Sequence, residues 1–202
     1  MGRGMSKQRM LSSDEYDFLL KHTEFSSDQI LEWYDEFLQD CPSGQLTREK
    51  FVEIYTQLFA RENEIDNALQ FCEHVFRSFD TDNNGHVDFT EFMLAIDISS
   101  MGTPKQKLSW AFRMYDINGD NVIEPDEMTE IIAAIYKMKR KGKGGEDPTN
   151  LDLMEPSERT AAIFDKMDTN HDGKLSKEEF IDGCMADEGL FKVLSAPGPS
   201  RN

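Results

Sequence analysis

The sequence has few cysteines, few basic residues and no long apolar segment. Its three cysteines in 202 residues cannot all pair, and none has C-x-x-C spacing, so neither a disulfide framework nor a zinc site is indicated. No apolar run approaches the roughly 18 residues of a membrane span, and the N-terminus lacks the apolar stretch of a secretory signal. We therefore expect a cytoplasmic protein with reduced thiols, unless something attaches it to a membrane.

The shortage of basic residues sets the charge of the chain. There are 22 Lys and Arg residues against 39 Asp and Glu, which gives a formal net charge of −17. Such a surface repels phosphates, so we expect no nucleic-acid partner, and cations or basic peptides fit it better. The 38% hydrophobic content with 14 Phe argues against disorder despite this charge.

The acidic residues gather in three similar segments of the chain. We name them loop 2 (residues 80–91), loop 3 (116–127) and loop 4 (168–179), and together they hold 13 of the 39 Asp and Glu residues. Each has Asp at position 1, Asp or Asn at positions 3 and 5, an aliphatic residue at position 8 and Glu at position 12. This is the pattern of the EF-hand calcium loop, and its threefold recurrence argues against chance acidic turns.

Calcium coordination explains this spacing. The ion takes about six to eight oxygen ligands, which the side chains at positions 1, 3 and 5, the backbone carbonyl at 7 and the Glu carboxylate at 12 can supply. We therefore predict up to three bound Ca²⁺ ions. The predicted ligands are Asp80, Asp82, Asn84, His86 and Glu91 in loop 2, Asp116, Asn118, Asp120, Val122 and Glu127 in loop 3, and Asp168, Asn170, Asp172, Lys174 and Glu179 in loop 4.

Position 6 of each loop must turn sharply. Gly85 and Gly173 fit a left-handed backbone without steric cost. Asn121 takes this place in loop 3, and Asn tolerates that conformation better than other non-glycine residues. We expect loop 3 to turn as the others do, with somewhat different binding.

A fourth and defective copy lies upstream, at residues 39–50, which we name loop 1. Gly44 falls at position 6 and Leu46 at position 8, but Gln39 stands at position 1 and Lys50 at position 12. An ammonium therefore replaces the carboxylate that should hold the ion. We predict that loop 1 binds no calcium and is kept as a packing partner, with Leu46 paired to Val87 of loop 2.

Helical patterns flank every loop, so the predicted fold is all-α, with four EF-hands in two pairs and short two-stranded β links between paired loops. We divide the chain into an N-terminal arm with a first helix (1–25), an N-terminal EF-hand pair (26–100), a C-terminal pair (101–190) and a flexible tail (191–202). The segment from Ser99 to Pro104 reads as a hinge between the pairs.

Five further motifs extend over most of the chain. They are Asp40-Cys41-Pro42-Ser43-Gly44, Phe51-x-x-Ile54-Tyr55, His74-Val75-Phe76-Arg77-Ser78-Phe79-Asp80, Lys107-Leu108-Ser109-Trp110-Ala111-Phe112 and Asp172-Gly173-Lys174-Leu175-Ser176. With these motifs the chain resembles the neuronal calcium sensor family, in its visinin, recoverin and neurocalcin branch. The cysteine-proline first loop is highly specific to that family.

The resemblance implies an N-terminal myristoyl group. Residues 1–6 match the acylation signal M-G-x-x-x-S, so Gly2 would carry the lipid. One myristoyl chain anchors a protein only marginally, and Arg3, Lys7 and Arg9 would add attraction to anionic lipid. We expect calcium-dependent membrane association of a cytoplasmic protein.

The resemblance also implies an apolar groove that holds the acyl chain or an apolar helix of a protein target, with two swivel glycines, Gly44 and Gly102. Calcium would free the groove by favouring the open arrangement. Plain core packing accounts for most of the aromatic residues. The matching groove positions are Trp33, Phe37, Phe51, Ile54, Tyr55, Phe59, Phe92 and Ile96.

The sequence leaves three functions open. The first is a calcium sensor that regulates a membrane-associated target, the second a simple calcium buffer, and the third a constitutive subunit or guanylate cyclase activator. We expect no enzyme, because the four histidines fit no nucleophile or metal constellation.

Overall fold

The computed structural model describes residues 10–59, 65–139 and 154–195 of the chain. These ranges contain ten helices and four short strands, which confirms the predicted all-α class. In chain order they are α1 (Ser13–His22), α2 (Ser27–Asp40), β1 (Gln45–Thr47), α3 (Arg48–Phe59), α4 (Ile65–Phe79), β2 (His86–Asp88), α5 (Phe89–Met101), α6 (Pro104–Tyr115), β3 (Val122–Ile123), α7 (Pro125–Lys139), α8 (Pro156–Met167), β4 (Leu175–Ser176), α9 (Lys177–Ala186) and α10 (Glu188–Leu194).

Two antiparallel ladders join the four loops into two pairs. Strand β1 of loop 1 pairs with β2 of loop 2, and Leu46 lies opposite Val87 as predicted. Strand β3 of loop 3 pairs with β4 of loop 4, with Ile123 opposite Leu175. All four of these residues are buried, so each ladder places two apolar side chains at the centre of its pair.

Reciprocal side-chain bonds start many of the helices. In such a capping box, the side chain before the helix accepts from the N3 backbone, and the N3 side chain accepts from the cap backbone. Such boxes stand at the starts of α5 and α9, formed by Asp88 with Glu91 and by Ser176 with Glu179. Further boxes stand at the starts of α1, α2 and α6, on Ser12, Ser26 and Thr103.

The predicted hinge from Ser99 to Pro104 is shorter than expected. Helix α5 continues to Met101 and α6 begins at Pro104, so two residues link the helices. The Gly102 N–H donates to the carbonyls of Asp97 and Ile98, both at 3.1 Å. A Cβ at position 102 would lie 2.3 Å from the Ile98 carbonyl oxygen, so close backbone approach requires glycine here.

The predicted flexible tail begins inside a helix. Helix α10 runs to Leu194, and its Leu190, Val193 and Leu194 side chains are buried. The Asp187 carboxylate caps it by accepting from the N–H groups of Gly189 and Leu190 at 2.9 and 3.1 Å. Seven residues are too few for a clear helical period, so the sequence pattern missed this helix. Residues 196–202 of the predicted tail lie outside the described residues.

The two EF-hand pairs pack on each other through α4. This helix of the N-terminal pair lies against α6 and α7 of the C-terminal pair. At its end, the Phe79 ring meets the Trp110 ring edge-on, with centroids 5.8 Å apart. Helix α1 packs against α2 and α5, where it buries Leu19 completely. The first helix is therefore a part of the folded body.

Loop 1 should be needed for stability although we predict that it binds no calcium. Leu46 is 3% exposed, so we expect Leu46→Ala to lower the free energy of unfolding by about 2–4 kcal/mol through the cavity it leaves. Urea denaturation of the calcium-loaded protein measures this change. The control is Gln45→Ala in the same strand, whose side chain is exposed; equal stability of both variants would contradict the packing role.

Candidate calcium-binding loops

Loop 2 brings three carboxylates into one cluster. Asp80, Asp82 and Glu91 each offer an oxygen, and these oxygens lie within 4.8 Å of one another. Asp80 and Glu91 are buried, whereas Asp82 is exposed. Burial raises the pKa of Asp80, and the charge of Glu91 raises it further, against the lowering effect of two backbone N–H donors. A bound cation would offset both burial and repulsion, so this cluster fits a metal ion.

Backbone N–H groups hold the position-1 carboxylate in the same way in all three loops. In each, Oδ2 of the first Asp accepts from the N–H at position 6, which the left-handed turn aims inward. The bonds are Gly85 to Asp80 at 2.9 Å, Asn121 to Asp116 at 3.1 Å and Gly173 to Asp168 at 2.9 Å. Asn121 has φ +68°, so it turns as predicted for this position.

The position-12 carboxylate is also held identically. Its Oε1 accepts from the N–H at position 2, and its Oε2 accepts from the N–H at position 9. The Oε1 bonds come from Thr81 at 2.7 Å, Ile117 at 2.9 Å and Thr169 at 3.1 Å, and the Oε2 bonds from Asp88 at 3.1 Å, Glu124 at 2.9 Å and Ser176 at 3.0 Å.

These N–H donors change the acidity of the Glu in loop 4. The pKa of Glu179 is lowered to about 2, first by the Ser176 N–H and then by the hydroxyls of Ser176 and Thr169. The carboxylate is therefore ionised at neutral pH. It is ready to bind a cation without first losing a proton.

Each loop has one asparagine among its side-chain ligand positions, at position 5 in loop 2 and at position 3 in loops 3 and 4. Asn118 and Asn170 stand at position 3, where an amide oxygen can serve as a calcium ligand. Their amide groups donate to the position-5 carboxylates, at 3.2 Å to Asp120 and 3.0 Å to Asp172. Among the described residues, only loop 2 brings oxygens of three acidic side chains within 4.8 Å of one another.

The comparisons with known proteins agree with this arrangement. Models of an EF-hand domain pair match residues 42–95 and 105–185. The chain is 35% identical to human recoverin over 95% of its own length and 92% of that protein. It is 37% identical to neuronal calcium sensor 1 of Lymnaea stagnalis, over 96% of each, and 38% identical to guanylyl cyclase-activating protein 1 of Lithobates pipiens, over 85% and 78%.

The chain belongs to the neuronal calcium sensor family. Its EF-hand pairs and these relatives support calcium as the ion that the loops bind. The ligand set of each loop in this family member stays a prediction, including the carbonyl groups of His86, Val122 and Lys174 at position 7.

Loop 1 of this family member has the turn but not the ligands. Gly44 keeps a left-handed φ of +75°, and its N–H donates to the Cys41 carbonyl at 2.8 Å. Lys50, at position 12, turns to Glu53 on its own helix, with the Nζ 3.1 Å from Oε1. No acidic side chain occupies position 1, 3, 5 or 12 of the loop, which supports the prediction that it binds no calcium.

The structure divides the predicted groove residues between core and surface. Phe92 packs against Trp33 and Phe37, with ring centroids 5.7 and 5.4 Å apart, while Phe51 packs against Tyr55 at 6.0 Å. Phe59 ends α3, and its side chain lies outside the described residues. The buried members are Phe37, Phe51, Tyr55 and Ile96, and the half-buried ones are Trp33, Ile54 and Phe92.

Gly2 and the basic residues Arg3, Lys7 and Arg9 lie outside the described residues. The predicted lipid site therefore stays a prediction. Of the two predicted swivel glycines, Gly44 is buried within loop 1 and Gly102 ends α5.

Sequence reasoning missed a second left-handed position and an ion pair. Position 4 of each loop also has positive φ, at Asn83, Gly119 and His171. Asn and Gly in the sequence can indicate a left-handed backbone at this position, whereas His does not. Between the paired loops, Lys174 Nζ lies 2.8 Å from Oε1 of Glu124. Lys174 is at position 7 of loop 4 and Glu124 is at position 9 of loop 3. This ion pair can be predicted only when the β3–β4 register is known.

Removing the charge of one position-12 carboxylate should weaken calcium binding at its own loop. We expect Glu91→Gln, Glu127→Gln and Glu179→Gln each to weaken calcium binding at that loop by roughly tenfold or more, because a bidentate anionic ligand becomes neutral. Calorimetric titration should lose one site per variant. Glu178→Gln, which changes an exposed neighbour at position 11, should keep all sites; full binding in the three position-12 variants would refute the ligand assignment.

Proposed function

We propose that this chain is a calcium sensor that binds Ca²⁺ at loops 2, 3 and 4 and regulates a membrane-associated signalling target. The observation that carries the proposal is the repetition of one hydrogen-bond frame around three ligand sets. In each loop the position-12 Glu is also the N3 residue of the exiting helix. An ion that draws this carboxylate inward therefore moves the start of a helix.

The proposed response is exposure of apolar surface. Phe37, Phe51, Tyr55 and Ile96 are buried, so a target helix can contact them only after the helices of the N-terminal pair move apart. Helix α5, which leaves loop 2, bears both Phe92 and Ile96. Movement of α5 by calcium at loop 2 is the simplest route to such a groove.

Apolar exposure separates a sensor from a buffer. A buffer EF-hand protein barely opens when it binds calcium, whereas we expect calcium to raise the fluorescence of an apolar-surface dye several-fold. The combined variant Glu91→Gln, Glu127→Gln and Glu179→Gln is the control and should show no rise. Calcium binding by the unmodified protein without any dye response would favour the buffer.

The proposal includes a myristoyl switch at Gly2. Helix α1 packs against α5, and the Glu24 N–H donates to the Asp97 carboxylate at 2.8 Å, next to Ile96. Helix α1 therefore lies against the helix that bears the proposed groove residues Phe92 and Ile96. Among the described residues, no helix has the length and apolarity to cross a bilayer. In the proposal, the lipid and the N-terminal basic residues together attach the protein to the membrane.

Loss of the acylation site should abolish membrane association. We expect the protein produced with N-myristoyltransferase to sediment with phosphatidylserine-containing vesicles in calcium and to stay in solution in chelator. Gly2→Ala should stay in solution in both conditions, because the enzyme acylates only an N-terminal glycine. Gly4→Ala, at a variable position of the signal, is the matched control; sedimentation of Gly2→Ala would show that the lipid is not the anchor.

A guanylyl cyclase activator is the second candidate. Its support is the 38% identity to a guanylyl cyclase-activating protein. A constitutive subunit would stay on its target in chelator as well as in calcium, whereas a switched sensor would dissociate in one of the two. The relatives named here include a neuronal calcium sensor and a cyclase activator, and we expect no catalytic activity in this chain.

A further inference from the structure

One arginine of the N-terminal pair reaches the entrance of a calcium loop in the C-terminal pair. Arg77 lies in the last turn of α4, three residues before Asp80 begins loop 2. Its Nη2 donates to the carbonyl of Met114 at 3.0 Å. Met114 lies in the last turn of α6, two residues before Asp116 begins loop 3. A single side chain thus joins the helices that enter loops 2 and 3.

The guanidinium of Arg77 carries a positive charge in a partly buried place. The group is half-buried, and its buried Nε has no hydrogen-bond partner among the described residues. Burial lowers the pKa of Arg77, and Glu130, Glu127, Asp116 and Glu73 act against this lowering, in that order. Arginine stays protonated throughout the physiological range. Two of these four carboxylates, Asp116 and Glu127, are positions 1 and 12 of loop 3.

The neighbouring histidine adds no second positive charge. His74 lies one turn earlier in α4, with Nδ1 3.3 Å from Nη2 of Arg77. Its pKa is lowered to about 4, first by burial and then by Arg77, so the imidazole is neutral at pH 7. The 3.5 Å approach of its Nε2 to Glu130 is therefore not an ion pair at that pH. Of these two side chains of α4, only Arg77 carries a positive charge at the contact with the C-terminal pair.

We infer that Arg77 is a positioning residue that couples calcium binding at loop 3 to the docking of α4 on the C-terminal pair. The inference rests on the proposed calcium binding at loop 3. Docked α4 places the guanidinium where it attracts Asp116 and Glu127, the same carboxylates that would bind the ion. A divalent ion in the loop neutralises those carboxylates and repels the guanidinium.

Two consequences follow from this competition. Docking of Arg77 lowers the calcium affinity of loop 3, and by thermodynamic reciprocity filling of loop 3 weakens the docking of α4 by the same factor. Because α4 ends at loop 2, its release also frees the backbone that positions Asp80. Arg77 thereby transmits the state of loop 3 to loop 2.

The test isolates loop 3 in the full-length chain. Glu91→Gln with Glu179→Gln disables loops 2 and 4, and calorimetry then gives the affinity of loop 3 alone. In this background Arg77→Gln should raise that affinity by roughly threefold to tenfold at low salt, and the gain should shrink at high salt. Arg77→Lys, which keeps the charge, should bind calcium as the Arg77 chain does.

The matched control removes an equal charge elsewhere in the N-terminal pair. Arg48 pairs with Glu73 on the surface, at 2.6 Å with about half of each side chain exposed. Arg48→Gln should leave the affinity of loop 3 unchanged. If circular dichroism shows that Arg77→Gln loses helix, Arg77→Met takes its place, because it keeps the aliphatic stem and removes the charge.

The outcomes separate the coupling from the sensor proposal. An unchanged or lower affinity of loop 3 in a folded Arg77→Gln or Arg77→Met chain overturns the role of Arg77, as does a gain that is insensitive to salt. Absence of calcium binding in the background chain with Arg77 intact would instead contradict the proposed site in loop 3. An equal gain in the calcium affinity of loop 3 in Arg48→Gln would show that the effect comes from the net charge of the protein, and it would overturn the coupling.

Discussion

Holding several carboxylates close together is the constraint on which this structure depends. Like charges repel, and the chain counters the repulsion with backbone N–H groups. In each intact loop these groups contact both the first Asp and the last Glu. Because the last Glu is also an N3 capping residue, the ligand set and the start of a helix share one side chain. In the proposed sensor, a change at the ion site would therefore move the start of the exiting helix.

A single loop cannot meet this constraint alone. Its strand has two or three residues, far too few to be stable without a partner. Pairing through the β1–β2 and β3–β4 ladders provides that partner and buries Leu46, Val87, Ile123 and Leu175 at the centres of the pairs. This explains why a loop without calcium ligands is retained: loop 1 supplies the strand and the apolar side chain that loop 2 needs.

Helix α4 joins the N-terminal EF-hand pair to the C-terminal pair. Helix α4 belongs to loop 2 by sequence, yet it packs on α6 and α7, which flank loop 3. The Phe79 and Trp110 rings pack against each other there. The charged Arg77 side chain adds a directional hydrogen bond to the Met114 carbonyl. The two inner loops are therefore linked through packed helices, in addition to the two-residue link between α5 and α6.

Short-range chemistry made much of this fold predictable. Ligand spacing located the three loops, and the alignment of position 8 gave the Leu46–Val87 register. The errors in the predicted end of α5 and in the tail also have physical causes. Helix α5 continues through two serines because its C-terminal carbonyls are satisfied by Gly102, and α10 is stabilised by burial on α9 and α6 rather than by its own seven-residue pattern.

The sequence by itself determined the identity, number and internal frame of the candidate calcium loops, because their ligands and turns lie within twelve consecutive residues. Tertiary structure alone decided which aromatic side chains are core and which are half-exposed, that Lys174 meets Glu124, and that Arg77 reaches the entrance of loop 3. These contacts join residues far apart in the chain. Their positions depend on how helices pack, and no local pattern encodes that arrangement.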